Sequence, residues 1–98
     1  MYYVIFKYNL KAGKKLEEVK KWMRENEATQ ARWGAVAADF YRPLFSPGHS
    51  FFARYQVKSL DRWHEAINSP QAAPVFEGLA ELVDFDKSER WVFEEIPY

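Results

Sequence analysis

The order in which strand-like and helix-like patterns follow one another is the feature that most constrains the fold of this chain. Runs of β-forming residues open and close the sequence, at residues 2–8 and 89–96. Two further runs, 35–45 and 51–57, flank a tight turn at 46–48 and therefore predict a β-hairpin. Apolar residues at helical spacing occupy the two remaining intervals, so the order is β-α-β-β-α-β.

The helical intervals carry recognisable start and stop residues. The first helix is predicted over residues 16–33, and Gly34 should end it, because glycine readily adopts the left-handed conformation found there. The second helical segment begins after Ser59, whose hydroxyl can cap the first turn. Pro70 interrupts this segment, and Pro74 can open a further helix as its first residue.

This order is the split βαβ arrangement of ferredoxin-like α+β proteins. It predicts a four-stranded antiparallel sheet with the helices on one face. A length of 98 residues suits one domain, so residues 1–98 are expected to form a single unit.

The sheet face away from the helices is predicted to be apolar. If Val4, Phe6, Val57 and Phe93 face the helices, the opposite face carries the following side chains: Tyr3, Ile5, Lys7, Phe52, Arg54, Val92, Glu94 and Ile96. An uncovered patch of this kind predicts a homodimer in which a second copy covers the sheet. Lys7, Arg54 and Glu94 are expected to neutralise one another there, because buried charges need partners.

Composition excludes several classes of function. The 14 basic and 14 acidic residues balance, so nothing indicates a nucleic-acid or anionic-membrane partner. Cysteine is absent, which excludes disulfides, thiolate nucleophiles and Cys-ligated metals. We find no signal peptide and no apolar run long enough to cross a bilayer, and we expect a cytoplasmic protein.

Several motifs resemble those of the dimeric α/β-barrel superfamily, whose small members include antibiotic-biosynthesis-monooxygenase-like and NIPSNAP-like proteins. The motifs are the turn at 11–15 after the first strand, Arg42-Pro43-Leu44-Phe45 in the hairpin, Ser59-Leu60-Asp61-Arg62-Trp63, and Asn68-Ser69-Pro70. The resemblance implies a barrel formed by two sheets across a dimer, with a pocket between sheet and helices. Members include cofactor-free monooxygenases, haem-degrading enzymes, lactone isomerases and proteins without known activity. The haem-degrading members combine an Asn, a Trp and a His in a particular layout. Asn9, Asn26 and Asn68 do not match the position of that Asn.

The two histidines are the candidate acid–base groups. His64 follows Trp63 at the edge of the apolar stripe and is the catalytic candidate, because histidine titrates near neutral pH. A helix-surface histidine is the structural alternative. His49 lies in the hairpin turn and is a candidate ligand contact, with a turn residue or a subunit contact as the structural alternative. Their spacing predicts no metal site, and we expect no cofactor.

Further ligand-binding candidates are aromatic or cationic. Tyr41 and Arg54, with Asp39, are expected to meet across the hairpin, either to hold a carboxylate or phenolate or to form a simple cross-strand polar pair. Trp22 and Trp63 are candidates for lining an aromatic pocket. The structural alternative is packing in the core and interface, since aromatic residues dominate both.

Three functions remain open from sequence. The first is a dimeric barrel that binds a small, largely apolar or aromatic ligand. The second is a cofactor-independent monooxygenase or isomerase, in which His64 acts as base in a dry pocket. The third is an assembly module without a ligand. The sequence does not decide whether the protein is an enzyme.

Overall fold

The computed structural model describes residues 1–44 and 50–98. Its helices and strands follow the predicted order, with the second helical segment divided in two by a short 3-10 turn at Pro70–Ala72. The elements are β1 (Tyr2–Asn9), α1 (Leu16–Arg32), β2 (Ala35–Tyr41), β3 (Ser50–Val57), α2 (Leu60–Ile67), α3 (Ala73–Ala80) and β4 (Glu89–Glu94). The predicted turn at 46–48 lies outside the described residues, and the second strand ends at Tyr41 rather than at residue 45.

The four strands form one antiparallel sheet in the order β2-β3-β1-β4. The helices cover one face of it, so the ferredoxin-like α+β fold is confirmed. β1 lies in the interior of the sheet, where Val4 faces Tyr55 of β3 and Val92 of β4. β2 and β4 are the two edges.

The hydrophobic core lies between the sheet and the helices. β3 alternates strictly between half-buried and buried positions, as expected for a strand covered on one face, and in β1 Val4 and Tyr8 are buried on the same side. The largest contributions come from these buried side chains: Val4, Tyr8, Phe51, Tyr55 and Val57 from the sheet, and Val19, Trp22, Met23, Trp33, Trp63 and Leu79 from the helical side. Indole and phenyl rings therefore occupy much of the space in which a pocket was expected.

Local sequence signals end and start the helices as predicted. Gly34 follows α1 with a φ of 99°, a conformation that most side chains disfavour. The Ser59 hydroxyl accepts a hydrogen bond from the backbone N–H of Arg62 and caps α2. Pro74 lies in the first turn of α3, where its missing N–H leaves no helical hydrogen bond unmade.

The predicted assignment of β4 to the two sheet faces was wrong. Phe93 pairs with Tyr3, and directly paired residues share a face, so Phe93 points away from the helices. Val92 and Glu94 pair with Val4 and Tyr2 and therefore lie on the helix side. β4 carries large apolar residues on both faces, so only its register with β1 could decide the matter.

We call the uncovered side of the sheet the open face. It consists of Tyr3, Ile5, Lys7, Ala37, Asp39, Tyr41, Phe52, Arg54, Gln56, Glu89, Trp91 and Phe93. Tyr3, Ile5 and Phe52 are on this face, as predicted. Ile96 lies beyond the end of β4.

No helix within residues 1–44 and 50–98 is long and apolar enough to cross a membrane.

Candidate functional site

An open groove of about 260 Å³ lies between α1 and the edge strand β2. Its lining is mostly apolar, with Arg24, Glu27 and Gln30 as the polar members. The groove is lined by Met23, Arg24, Glu27, Gln30, Ala31, Ala35, Val36, Ala37 and Ala38. The four consecutive residues from β2 have small or medium side chains, which leaves room between strand and helix.

Gln30 is the buried polar group of this groove. Only 3% of its surface is exposed, and its amide nitrogen donates a hydrogen bond of 3.3 Å to the hydroxyl of Tyr55. Burial raises the pKa of Tyr55 above its ordinary value, so the phenol stays neutral across the physiological range. The groove thus contains an amide held in place by a neutral phenol behind it.

The Tyr55 ring joins this pair to an aromatic cluster in the core. Its centroid lies 5.0 Å from the indole of Trp63, which in turn meets Trp33 edge-on at 6.1 Å. The buried indole N–H of Trp63 has no hydrogen-bond acceptor among the described residues. Burying a donor without a partner is unfavourable, so this N–H lowers stability relative to an apolar group at the same place.

A β-bulge shapes the outer rim of the groove. The pairing of β2 with β3 shifts register between Ala35 and Ala37, which inserts Val36 as an extra residue. Val36 is 51% exposed, although it is apolar and lines the groove.

A second cluster lies on the open face, around Arg54. Its guanidinium is 2.7 Å from the Asp39 carboxylate and lies 5.1 Å from the ring centroid of Tyr3 and 5.6 Å from that of Tyr41. The predicted cross-strand grouping of Asp39, Tyr41 and Arg54 is therefore present. The hydrogen bond that the Arg54 guanidinium donates to the Asp39 carboxylate raises the pKa of Arg54, which remains a cation.

The predicted charge cluster of Lys7, Arg54 and Glu94 was wrong. Lys7 pairs instead with Glu89, its direct cross-strand neighbour, at 3.6 Å, and Arg54 pairs with Asp39. Glu94 is on the other side of the sheet because it faces Tyr2.

The structure does not bring the predicted ligand-binding residues into one site. Trp22 and Trp63 are buried beneath the helices, where the Trp22 indole donates to the Val75 carbonyl at 2.9 Å. Tyr41 and Arg54 are on the opposite side of the sheet. His49 lies outside the described residues.

His64, the predicted catalytic residue, is half-buried on α2 and does not line the groove. Its Nε2 atom is buried without a hydrogen-bond partner among the residues the structure describes.

Gln30 was missed as a candidate by the sequence analysis. It follows Val19 by eleven residues, or three helical turns, and so falls on the buried stripe of α1 with Met23. A long amide on an apolar stripe is a detectable signal, because a buried polar group requires a partner.

Within residues 1–44 and 50–98, no group of three or more His, Cys, Asp and Glu side chains could hold a metal ion.

Comparison with known proteins identifies relatives by structure only. No family model matches the sequence, and no curated protein matches it. Among solved structures, the chain is similar to SnoaB, a cofactor-independent oxygenase from Streptomyces nogalater, with 17% sequence identity and a TM-score of 0.76, over 99% of this chain and 94% of the other.

Two further structures give the same result. HapK from Hahella chejuensis has 13% identity and a TM-score of 0.76, over 100% of this chain and 95% of the other. An antibiotic biosynthesis monooxygenase has 14% identity and a TM-score of 0.70, over 99% and 100%. The chain therefore has the ferredoxin-like fold of the antibiotic-biosynthesis-monooxygenase-like proteins, which confirms the predicted resemblance at the level of fold.

Proposed function

We propose that this protein is a homodimer that binds a small, largely apolar or aromatic ligand in the groove between α1 and β2. The observation that carries the proposal is the buried pair of Gln30 and Tyr55 within an otherwise mostly apolar groove. A ligand site typically combines apolar walls with a few fixed polar groups.

The size of the groove limits the ligand. Pockets for drug-sized molecules measure roughly 300–1,000 Å³, and this groove is slightly smaller. One or two fused rings fit that space. The Gln30 amide then supplies orientation through one hydrogen bond, and Ala35 and Ala38, which share the helix side of the sheet with Val57 and Tyr55, leave a flat wall for the ring.

The binding test uses the protein's own tryptophan fluorescence or calorimetry with a panel of one-ring and two-ring hydroxylated aromatic compounds. We expect saturable binding of one ligand per subunit. Gln30→Met keeps the side-chain length but removes the amide, and should weaken binding by about five- to tenfold, the effect of ~1 kcal/mol.

A matched control is Gln56→Met. Gln56 also donates to a tyrosine hydroxyl, that of Tyr3 at 3.1 Å, but it lies on the open face. Equal losses in both variants, or no saturable binding across the panel, would contradict a site at Gln30.

Cofactor-independent oxygenation is the second candidate function. What supports it is the fold shared with SnoaB, together with the buried Nε2 of His64, which has no hydrogen-bond partner among the described residues. In such chemistry the substrate supplies the electrons, and the protein supplies a base and a dry site. Oxygen uptake should then depend on a hydroxylated aromatic substrate and fall in His64→Ala, whereas equal rates in both proteins would end the case for His64.

Dimerisation through the open face is supported by its surface chemistry. Tyr41, Trp91 and Phe93 are exposed there, and Phe52 stacks on Trp91 with centroids 6.4 Å apart. The cations of this face already have carboxylate partners in the same subunit, so a second copy would cover neutral pairs rather than bare charges.

An assembly module without a ligand is the third candidate, and it would show the dimer but no binding. The cytoplasmic location and the absence of a cofactor requirement stay predictions.

A further inference from the structure

We infer that the ligand of the groove between α1 and β2 is an aromatic α-amino acid, whose carboxylate meets Arg24 and whose ammonium group meets Glu27. This inference rests on the proposed ligand site and names the chemical class that would fill it. It goes beyond an apolar or aromatic body, because it requires one charge of each sign on the ligand.

The first observation is a pair of opposite charges on the rim of the groove. Arg24 and Glu27 are exposed side chains one turn apart on α1, and both line the groove. Residues at this spacing are neighbours on the helix surface, with Cβ atoms about 5–6 Å apart. Among the described residues, neither has an oppositely charged group within 4.0 Å. The rim therefore presents a guanidinium and a carboxylate that are not neutralised by ion pairs.

The second observation is that these two charges are exceptions on their helix. Every other charged side chain of α1 forms an ion pair or a hydrogen bond. The partnered side chains are Glu17 with Lys20, Lys21 with Glu25, Glu18 with the backbone N–H of Lys15, and Arg32 with the hydroxyl of Thr29. The two charges of the helix without such a partner are thus the two that line the groove.

A rim with both signs selects a ligand that carries both signs. A ligand with only a carboxylate would pair with Arg24 but would bring its charge close to Glu27, and a simple amine would be repelled by Arg24. Like charges in close approach are unfavourable, so each side chain discriminates against a ligand that lacks its partner. An α-amino acid carries its ammonium and carboxylate groups on one carbon atom, and this centre can contact both side chains.

The rest of the groove suits an aromatic side chain. Met23 of α1 and Ala35 and Ala38 of β2 supply apolar walls, and the space of about 260 Å³ takes roughly one or two fused rings. The Gln30 amide, which is held by Tyr55, can accept the N–H of an indole or bond to a phenol hydroxyl. The groove therefore has a place for the charged centre, the ring and a polar group on the ring.

Calorimetry with a series of related indoles tests the inference. L-tryptophan carries both charges, tryptamine lacks the carboxylate, indole-3-propionate lacks the ammonium group, and 3-methylindole lacks both. We expect L-tryptophan to bind about fivefold more tightly than tryptamine or indole-3-propionate, the effect of ~1 kcal/mol for one exposed charge pair. 3-Methylindole should bind most weakly.

Two variants identify which side chain meets which group. Arg24→Gln should weaken the binding of L-tryptophan and indole-3-propionate by about fivefold and leave tryptamine bound no more weakly. Glu27→Gln should weaken L-tryptophan and tryptamine and spare indole-3-propionate. A general distortion of the helix would weaken all of these ligands alike, so this crossed pattern distinguishes direct pairing from a structural defect.

Lys21→Gln and Glu25→Gln are the matched controls. They change the net charge of α1 by the same amounts, but their side chains pair with each other and do not line this groove. Screening by salt limits the reach of exposed charges, so all affinities should stay within about twofold of those of wild type.

The outcomes separate this inference from the proposed function. Equal affinities for the four indoles, with Gln30→Met still weakening them, would overturn the amino-acid ligand and retain the groove as a site. Losses in Lys21→Gln or Glu25→Gln as large as those in the groove variants would also overturn it, because they would reflect the overall charge of α1. No saturable binding of any indole or hydroxylated aromatic compound would overturn both proposals.

Discussion

At the scale of single residues, the groove depends on one buried hydrogen bond. Gln30 and Tyr55 come from α1 and β3, so the bond fixes the helix against the sheet at the point where the groove lies. Aromatic residues and histidines were candidates from the sequence, whereas Gln30 was not. Aromatic side chains are conspicuous in any sequence, whereas the role of an amide depends on the phenol that lies opposite it in space.

Tyr55→Phe should lower the free energy of unfolding by about 1–2 kcal/mol, because the substitution leaves the Gln30 amide N–H buried without an acceptor. Chemical denaturation monitored by circular dichroism measures this change. Tyr41→Phe is the control, since Tyr41 is exposed on the open face, and its effect should stay within about 0.5 kcal/mol. Equal stabilities of wild type and Tyr55→Phe would contradict the role of the bond.

Alkaline pH should destabilise the protein. Burial raises the pKa of Tyr55 and of Tyr8 above the ordinary value of 10.0, and both should remain neutral in the folded state. The unfolded chain loses these protons once the pH passes about 10, so it binds fewer protons than the folded chain. Stability is therefore complete below that pH and falls as the pH rises further.

The expected slope is about 1.4 kcal/mol per pH unit for each of the two tyrosines while both remain protonated in the folded protein. Denaturation at a series of pH values between 8 and ~11.5 measures it, and tyrosinate absorbance reports ionisation. Tyr55→Phe should show a shallower slope than wild type. A stability that rises above pH 10 would refute the sign.

At the scale of elements, most boundaries were predictable because their signals are local. Ser59, Gly34 and Pro74 act within one turn of chain, and each ends or starts a helix where expected. The faces of β4 were not predictable in this way. Trp91 and Phe93 alternate with the apolar Val92, so the period-two pattern is the same whichever set faces the helices. Only the register with β1 decides which set does.

Gly34→Ala should destabilise the protein by roughly 1–2 kcal/mol, because alanine is strained at a φ of 99°. The added methyl group would also lie 3.5 Å from the side chain of Arg62. Gly13→Ala provides a comparison, since Gly13 has a φ of 79° with open space around it, and so measures backbone strain alone. Thermal denaturation of both variants measures the loss of stability. A Gly34→Ala variant as stable as wild type would argue against a left-handed backbone conformation at the end of α1.

At the scale of the whole molecule, the topology was the most secure prediction, since it depends on the order of elements and not on any one side chain. The likeness to known folds agrees with it over nearly the full chain. The site was less accessible, because it joins a helix, an edge strand and a bulge. A bulge arises from a mismatch between two strands and has no signature in either strand alone.

Trp91→Glu should shift the protein from dimer to monomer, since it places a charge in the middle of the proposed interface. Sedimentation at micromolar concentration measures the state. Val92→Glu is a closely matched control: the two residues are neighbours on β4 with 40% and 41% exposure, but Val92 is on the helix side. Dissociation in both variants, or in neither, would contradict an interface at the open face.

The full exposure of β4 has a further consequence. Every residue of this strand is exposed, and within residues 1–44 and 50–98 the strand pairs with β1 alone. A strand that is hydrogen-bonded to one neighbour has a small free energy of local unfolding. Its backbone amides should therefore exchange with solvent deuterium long before those of β1 and β3. If a second subunit covers β4, dilution should speed that exchange because it favours the monomer. Local unfolding would then begin at the β4 edge of the sheet and proceed inward.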